Sequence, residues 1–467
     1  MRRTILLFLL IISILALVGY SFFINSVGVP IGAGDFECRI YLDKTVKISY
    51  YKGTDDEVVI PESIDGYTVK AIGSGAFTKS TLKKVHIPST VTDIDTLAFA
   101  ECSSLETVVL EKGIKNIGPG AFYGCDNLTA LALPEGLEKI DAAAFAGCTS
   151  LQSVLFPESL KTIGAGAFCY CSSLAELNLP SSLEVIEDLA FAACLSLESL
   201  YIPDSVSVLG NAAFGICPIK SVYIGAGVRD MESVAHPALD TVLQLVEYIT
   251  ELDLDLTAVA SASPPSLLMP SNWIEAFEKT VFNGTEVTIP AFFGNVFLTD
   301  VIISDANKHY TAQDGVIFSK DMRRLVHAPA VFSASEYTGP NGVEVIGNFA
   351  FAISPLLERL YMPESVKMIG NAAFAVCPML QQIHIPEGAY SISSFAFLAC
   401  ETLESVYLPS TLTKIGMGAF EACLLLSDVS YGGTQEAFFN IDIASMNSQL
   451  FASPIRFVIY EQGGYTH

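Results

Sequence analysis

Between Leu151 and Cys171 the apolar positions change their spacing twice within one short stretch. Val154 and Phe156 alternate with exposed positions, as in a strand with one buried face. Pro157 ends that ladder, because it has no amide donor and its ring fixes φ, so the chain must turn a corner. Leu160 and Ile163 form a second apolar pair, closed by Gly164, a residue suited to a left-handed or tightly turned backbone. Ala167 and Phe168 follow: a small residue that lets a neighbour approach, then a large ring for the centre.

The same order of events recurs along the chain. Ala-Phe pairs end at Phe77, Phe99, Phe122, Phe145, Phe168, Phe191 and Phe214, then at Phe351, Phe374, Phe397 and Phe420, nearly always 23 residues apart. The corner proline returns as Pro88, Pro134, Pro180, Pro203, Pro363, Pro386 and Pro409. Self-similarity at this period, with leucines at fixed offsets, predicts a leucine-rich repeat solenoid. Its coils should be β-rich, right-handed and about 23 residues long, with short strands and short helical or 3-10 turns. One coil cannot bury enough apolar surface to offset the entropy of ordering it, so stability comes from stacking and both ends need caps.

The repeat L-x-x-V-x-I-P-x-S-V/L-x-x-I-G-x-x-A-F-x-x-C resembles the BspA-like (Treponema pallidum type) leucine-rich repeats of bacterial surface proteins, over about residues 36–460 with one interruption. The stretch from Ile48 through Pro61 to Gly73 resembles the family's opening hairpin, and Val429 to Thr434 its closing segment. The resulting division is a signal anchor or transmembrane helix over 1–30, a capping hairpin region over 35–75 and a first repeat block over 76–226. An interruption with a helix over 227–285, variant coils over 286–342, a second block over 343–428 and a C-terminal cap over 429–467 complete it.

The ruler fails after Ile224 and resumes near Val343. Leu239, Val242, Leu243, Val246 and Ile249 lie at helical spacing after Pro237. Asn307 to Asp321 resembles a hairpin-bearing variant coil, with Asp314-Gly315 as its turn. Either a distorted solenoid runs through this region, or two blocks are hinged near residues 225–285.

At the N-terminus Arg2 and Arg3 precede an uncharged apolar run from Thr4 to Ile24, long enough to span a bilayer. A signal anchor would leave the basic end inside and the repeats outside, in a single-pass cell-membrane protein; signal cleavage and secretion is the alternative. Tyr20 stands where a lipoprotein box needs cysteine, which rejects lipidation.

Half of the residues are hydrophobic (51%), so a continuous core is expected, and a formal charge of −25 argues against nucleic acid as the partner. Nine of the eleven cysteines stand three residues after a motif phenylalanine, from Cys102 and Cys125 to Cys423. Such a column of parallel side chains reads as buried reduced thiols rather than bridges. Cys169 and Cys171 are too isolated for a zinc site.

The six histidines make no ligand or triad spacing, Gly-x-Ser-x-Gly is absent, and Asp253 with Asp255 or Glu247 with Glu251 read as solvated faces. No catalytic residue, metal or cofactor is expected, and the chain reads as a non-enzyme. The exposed column between the buried strand positions should run His86, Val109, Ala132, Leu155, Asn178, Tyr201 and Tyr223, then Tyr361, His384 and Tyr407. Its aromatics suit protein contact, so Tyr201, Tyr223, Tyr361, His384 and Tyr407 are the candidate ligand-binding residues. Aromatic side chains also suit a pleated surface for its own sake. The family resemblance implies attachment to host surface or matrix proteins or to other cells, and the apolar run from Thr4 to Ile24 is the expected membrane tether; a structural scaffold binding envelope proteins is the alternative.

Overall fold

Three buried stations per coil decide the architecture. In a computed structural model the described residues are 28–231, 290–295, 297–328, 335–354, 356–452 and 454–458. Val154, Leu160, Ile163, Ala167, Phe168 and Cys171 are all buried there, and their counterparts in other coils stack on them as continuous columns. The chain divides into two compact units, Met1–Leu183 and Glu184–His467.

The first unit opens with an antiparallel cap. Val29–Ala33 pairs with Phe36–Ile40, which pairs with Thr45–Tyr51. Thr45–Tyr51 then starts a parallel ladder with Tyr67–Ile72, Asp93–Ile94, Asn116–Ile117, Lys139–Ile140 and Thr162–Ile163. Within the expected opening hairpin the reversal is confined to Ser63–Ile64 against Tyr67–Ile72, turned at Asp65 and Gly66, both with positive φ. The facing strands Glu57–Val59, Lys84–Ile87 and Thr107–Leu110 run parallel, as do Ala130–Ala132 and Ser153–Leu155. Phenylalanine rings stack along the core, Phe99 on Phe122 at 5.0 Å and Phe145 on Phe168 at 5.2 Å.

In the second unit the ladder crosses the interruption. Ser199–Ile202, Ser221–Ile224 and Asp300–Ile303 pair in parallel, in register. The coil that starts at Ser221 continues through Val228 and Met231, leaves the described residues, and is completed by Ala291 and Phe292. Phe214 donates its amide to Ala291 O at 2.9 Å, and the rings of Phe214 and Phe292 stack at 5.9 Å. Residues 232–289 are thus inserted within one coil, between two strands that remain neighbours. The helix expected at Leu239–Ile249, the acidic pairs Asp253/Asp255 and Glu247/Glu251, and the apolar run to Ile24 lie outside the described residues. No described helix is long and apolar enough to cross a membrane.

The variant coil is present: Tyr310–Gln313 and Val316–Ser319 form a hairpin turned at Asp314 and Gly315, with φ of 50° and 74°. Val316–Ser319 pairs antiparallel with Arg324–His327, from which a parallel ladder proceeds through Val345–Ile346 and Met368–Ile369 to Asp442–Ile443. The facing ladder runs from Glu336–Thr338 through Arg359–Tyr361, Gln382–His384, Ser405–Leu408 and Asp428–Tyr431 to Arg456–Phe457. Helix Gln435–Phe439, N-capped by the Thr434 hydroxyl, drives Phe438 into the end of the core.

Two expectations change on inspection. The Ala-Phe corners are hydrogen-bonded turns, and among the described residues helix occurs only in the terminal cap. The reason is that left-handed residues stand two before and two after the ring, as at Gly166 (φ 60°) and Tyr170 (φ 61°), and a right-handed helical turn cannot pass through them. Gly164 itself is not left-handed: a Cβ there would stand 2.7 Å from Ile140 O, so close stacking of coils, not φ, demands glycine.

All eleven cysteines are free and buried. In the motif column Sγ donates to the phenylalanine carbonyl of the preceding coil, as from Cys102 to Phe77 O at 3.0 Å and from Cys400 to Phe374 O at 3.1 Å. Burial pushes the Cys102 thiol up to about 11, so it stays protonated and able to donate.

Candidate functional site

Parallel in-register pairing carries any residue type that repeats from coil to coil into a row one strand spacing apart, about 4.8 Å. The predicted exposed column is such a row in each unit. In the first unit it joins Val59 to His86 and Val109, and Ala132 to Leu155. Val59 extends the row beyond the sequence reading, and His86 Nε2 lies 2.7 Å from Glu111 Oε1.

All five candidate residues lie in the second unit. Tyr201 pairs with Tyr223, and Tyr223 with Ile302, a neighbour that the insertion conceals in the sequence. The Tyr201 and Tyr223 rings stack at 4.8 Å, with 5° between their planes. In the six-stranded ladder Tyr361 follows Thr338, and His384 pairs with Tyr407. Those two rings stack at 4.4 Å and 10°. Tyr201, Ile302 and Tyr361 are each more than half exposed, whereas Tyr223, His384 and Tyr407 are half-buried.

Stacking determines what this surface offers. Within each stacked pair one face of each ring is taken by the other, so ring edges carry much of the contact surface, which favours carbonyl oxygens and the faces of partner aromatics. The Tyr407 hydroxyl donates to Glu387 Oε1 at 2.6 Å, and Glu387 also accepts from the Ser410 amide and hydroxyl. A Cβ on Gly432 would collide with that hydroxyl and carboxylate, so the bond depends on a glycine two coils away from His384. Burial lowers the His384 pKa, against the opposing pull of Glu364 and Glu387, and the ring is neutral at physiological pH. Glu387 and Gly432 were not singled out by sequence reasoning; the recurrent acidic residue after the corner proline, at Glu158, Asp204, Glu364 and Glu387, is the signal that points to the first.

Elsewhere the described residues offer shallow, open grooves on the N-terminal cap, one lined by Pro30, Glu37, Arg39 and Lys52 and another by Phe36, Tyr51 and Asp55. Neither encloses a small molecule. Among the described residues no group of histidine, cysteine, aspartate and glutamate side chains is assembled to hold a metal ion.

The BspA type leucine-rich repeat region matches in six copies, over residues 56–148, 115–237 and 331–448. A leucine-rich cell surface protein from Faecalibacterium prausnitzii is similar at 25% identity and a TM-score of 0.57, over 89% of this chain and 97% of that one. The pneumococcal vaccine antigen PcpA has the same fold, with a TM-score of 0.53 and 20% identity over 92% of this chain and 88% of that one. No curated protein matches. The repeat columns, the Ala-Phe corners and the matched span together make this chain a member of the BspA-type leucine-rich repeat family.

Proposed function

We propose that this chain is a cell-surface protein that binds other proteins through the exposed sheet face of its second unit, and that it works without catalysis. The observation that carries the reading is the pair of stacked aromatic sets, Tyr201 with Tyr223 and His384 with Tyr407, standing outward on strands whose alternate residues are fully buried. Edge-exposed tyrosines combine apolar area, low side-chain entropy and a hydroxyl, the mixture that anchors protein interfaces. The similar Faecalibacterium protein is described as a cell surface protein, which supports the location. A tether formed by the apolar run after Arg3 and adhesion to host, matrix or neighbouring cells complete the proposal.

Pull-down mass spectrometry with the purified protein, offered host-tissue extract and envelope extract in parallel, tests it. Enrichment of a surface or matrix protein, lost when Tyr201, Tyr223, Tyr361 and Tyr407 are changed together to Ser with unchanged thermal unfolding, is the expected result. Undiminished capture by that variant would remove the aromatic face from the account. Enrichment of envelope proteins alone would favour an envelope scaffold over adhesion.

A further inference from the structure

The six-stranded face around Tyr361, His384 and Tyr407 is unequally charged. Its two cations are already engaged: Arg359 Nη1 lies 2.6 Å from Glu336 Oε1, and Arg456 pairs with Asp428. Glu358, Glu364, Glu387 and Glu404 have no ion-pair partner among the described residues. Their positions are set by the coil. Glu358 and Glu404 stand three residues before Tyr361 and Tyr407, while Glu364 and Glu387 stand three residues after Tyr361 and His384. Glu358 and Glu404 thus stand about 10 Å back along their strands, at about 3.3 Å per residue, whereas Glu364 and Glu387 follow the corner prolines Pro363 and Pro386, and the Glu387 carboxylate reaches the Tyr407 hydroxyl at 2.6 Å. Along the stack, Glu358 and Glu404 are two coils apart, again roughly 10 Å, the span of three residues of extended chain.

We infer that the occupant of this face is an extended polypeptide segment rich in lysine or arginine, with its cations over Glu358, Glu364 and Glu404 and its backbone or aromatic groups against the edges of Tyr361, His384 and Tyr407. This rests on the proposed function of the same surface and names the chemistry of its partner. Charge complementarity selects it: a polyanion would meet Glu358, Glu364 and Glu404, none with an ion-pair partner among the described residues, beside a Glu387 carboxylate already accepting from Tyr407 and Ser410. His384 is neutral and adds no opposing charge at physiological pH.

Isothermal titration of the full chain with oligolysine and oligoglutamate peptides of equal length, at low and at physiological salt, tests the inference. Oligolysine should bind and oligoglutamate should not. The triple variant E358Q/E364Q/E404Q should weaken oligolysine binding by about tenfold, three partly screened contacts acting together. The triple variant E106Q/E138Q/E176Q removes the same charge from the first unit and should change it less than about twofold. Equal losses from the two variants would show attraction by net charge alone and overturn the inference, as would no loss from the first. If the first variant is silent but Y361S/H384S/Y407S abolishes capture of a partner from extract, the proposed function stands and the basic partner falls. If both are silent, the face itself is wrong.

Discussion

Phe145 in the first unit lies between two ring neighbours, Phe122 and Phe168, each at 5.2 Å; Phe292 in the second unit meets Phe214 at 5.9 Å and belongs to a coil interrupted for residues 232–289. The polar inventory differs as sharply. Among the described residues the buried polar and charged residues Asp188, Asn211, Asn295, Asn307, His327, Ser354 and Asn447 all belong to the second unit, with Asn295 in the interrupted coil itself and Asn307 just after it. Where Cys148 donates one thiol to Phe122 O at 3.3 Å, Asn295 occupies the same station and donates to Phe214 O and Phe292 O, both at 2.8 Å. Asn307 similarly ties Gly225 O and Val228 O to the amides of His309 and Tyr310. A regular coil is held by repetition, and the interrupted coil by amides that recover backbone bonds the irregular path would lose.

The largest effect should come from removing a core ring. Phe145→Ala and Phe292→Ala should each cost about 3–5 kcal/mol of unfolding free energy, with Phe145→Ala the worse because it opens the stack on both sides. Chemical denaturation followed by far-ultraviolet dichroism would measure both. A cost for Phe292→Ala well below that range would mean the interrupted coil is not part of the continuous core.

Acid should separate the two regions next. His327 is buried with neither ring nitrogen hydrogen-bonded among the described residues, and desolvation lowers its pKa from 6.5 to about 4. No ionisable side chain is contributed by the paired strands Val316–Ser319 and Val345–Ile346, and Arg324 is the only one on its own strand. The unfolded chain takes up the proton at a pH where the folded chain does not. Stability from this group is therefore complete above about pH 6.5 and falls as the pH drops toward 4, by about 3 kcal/mol in total. His327→Leu should flatten that acid dependence while leaving stability near neutral pH almost unchanged; an equally steep fall in the variant would assign the acid sensitivity to other groups.

These differences also mark how far the sequence could be read. The 23-residue period is local and survives in every regular coil, so the columns through Phe145 and Cys148 were legible from the spacing alone. The coil of Phe292 was hidden because its halves, Val228 to Met231 and Ala291 to Asn295, are separated by the insertion and because asparagine replaces cysteine. Its surviving signal is Ala291-Phe292, followed at the usual distances by Asn295 and Leu298. The candidate face was legible as alternation within strands. The stacking of His384 on Tyr407, the clasp of Glu387 and the space left by Gly432 were not, since they join residues of different coils through side-chain packing that no single period records.

At the cysteine station the comparison can be sharpened by exchange. Asn295→Ala deletes both donors beneath a buried carbonyl pair and should cost about 1–3 kcal/mol. Asn295→Cys restores the usual occupant and should cost less than Asn295→Ala, because the thiol can donate to Phe214 O as Cys217 does to Phe191 O. Equal losses from the two variants, in the same denaturation assay, would show that the asparagine is required for its second bond to Phe292 O.

The smallest effect tests the backbone that both units share. Ala143 and Ala372 occupy the left-handed position two before the ring, with φ of 54° and 50°, where sister coils place Gly120 and Gly166. An alanine in that conformation costs roughly 1–2 kcal/mol relative to its preferred regions, while glycine returns roughly 0.5–1 kcal/mol of that through its larger unfolded-state entropy. Ala143 is only half-buried, so Ala143→Gly should stabilise the first unit by up to about 1 kcal/mol. Ala372 is fully buried in an apolar cluster with Phe349 and Phe395. Its methyl group contributes about 0.8 kcal/mol by burial, so Ala372→Gly should gain nothing. Matched thermal melts would show the sign: a gain at Ala372 equal to that at Ala143 would mean that the strain, and not the packing outside the ring column, sets the stability of these corners.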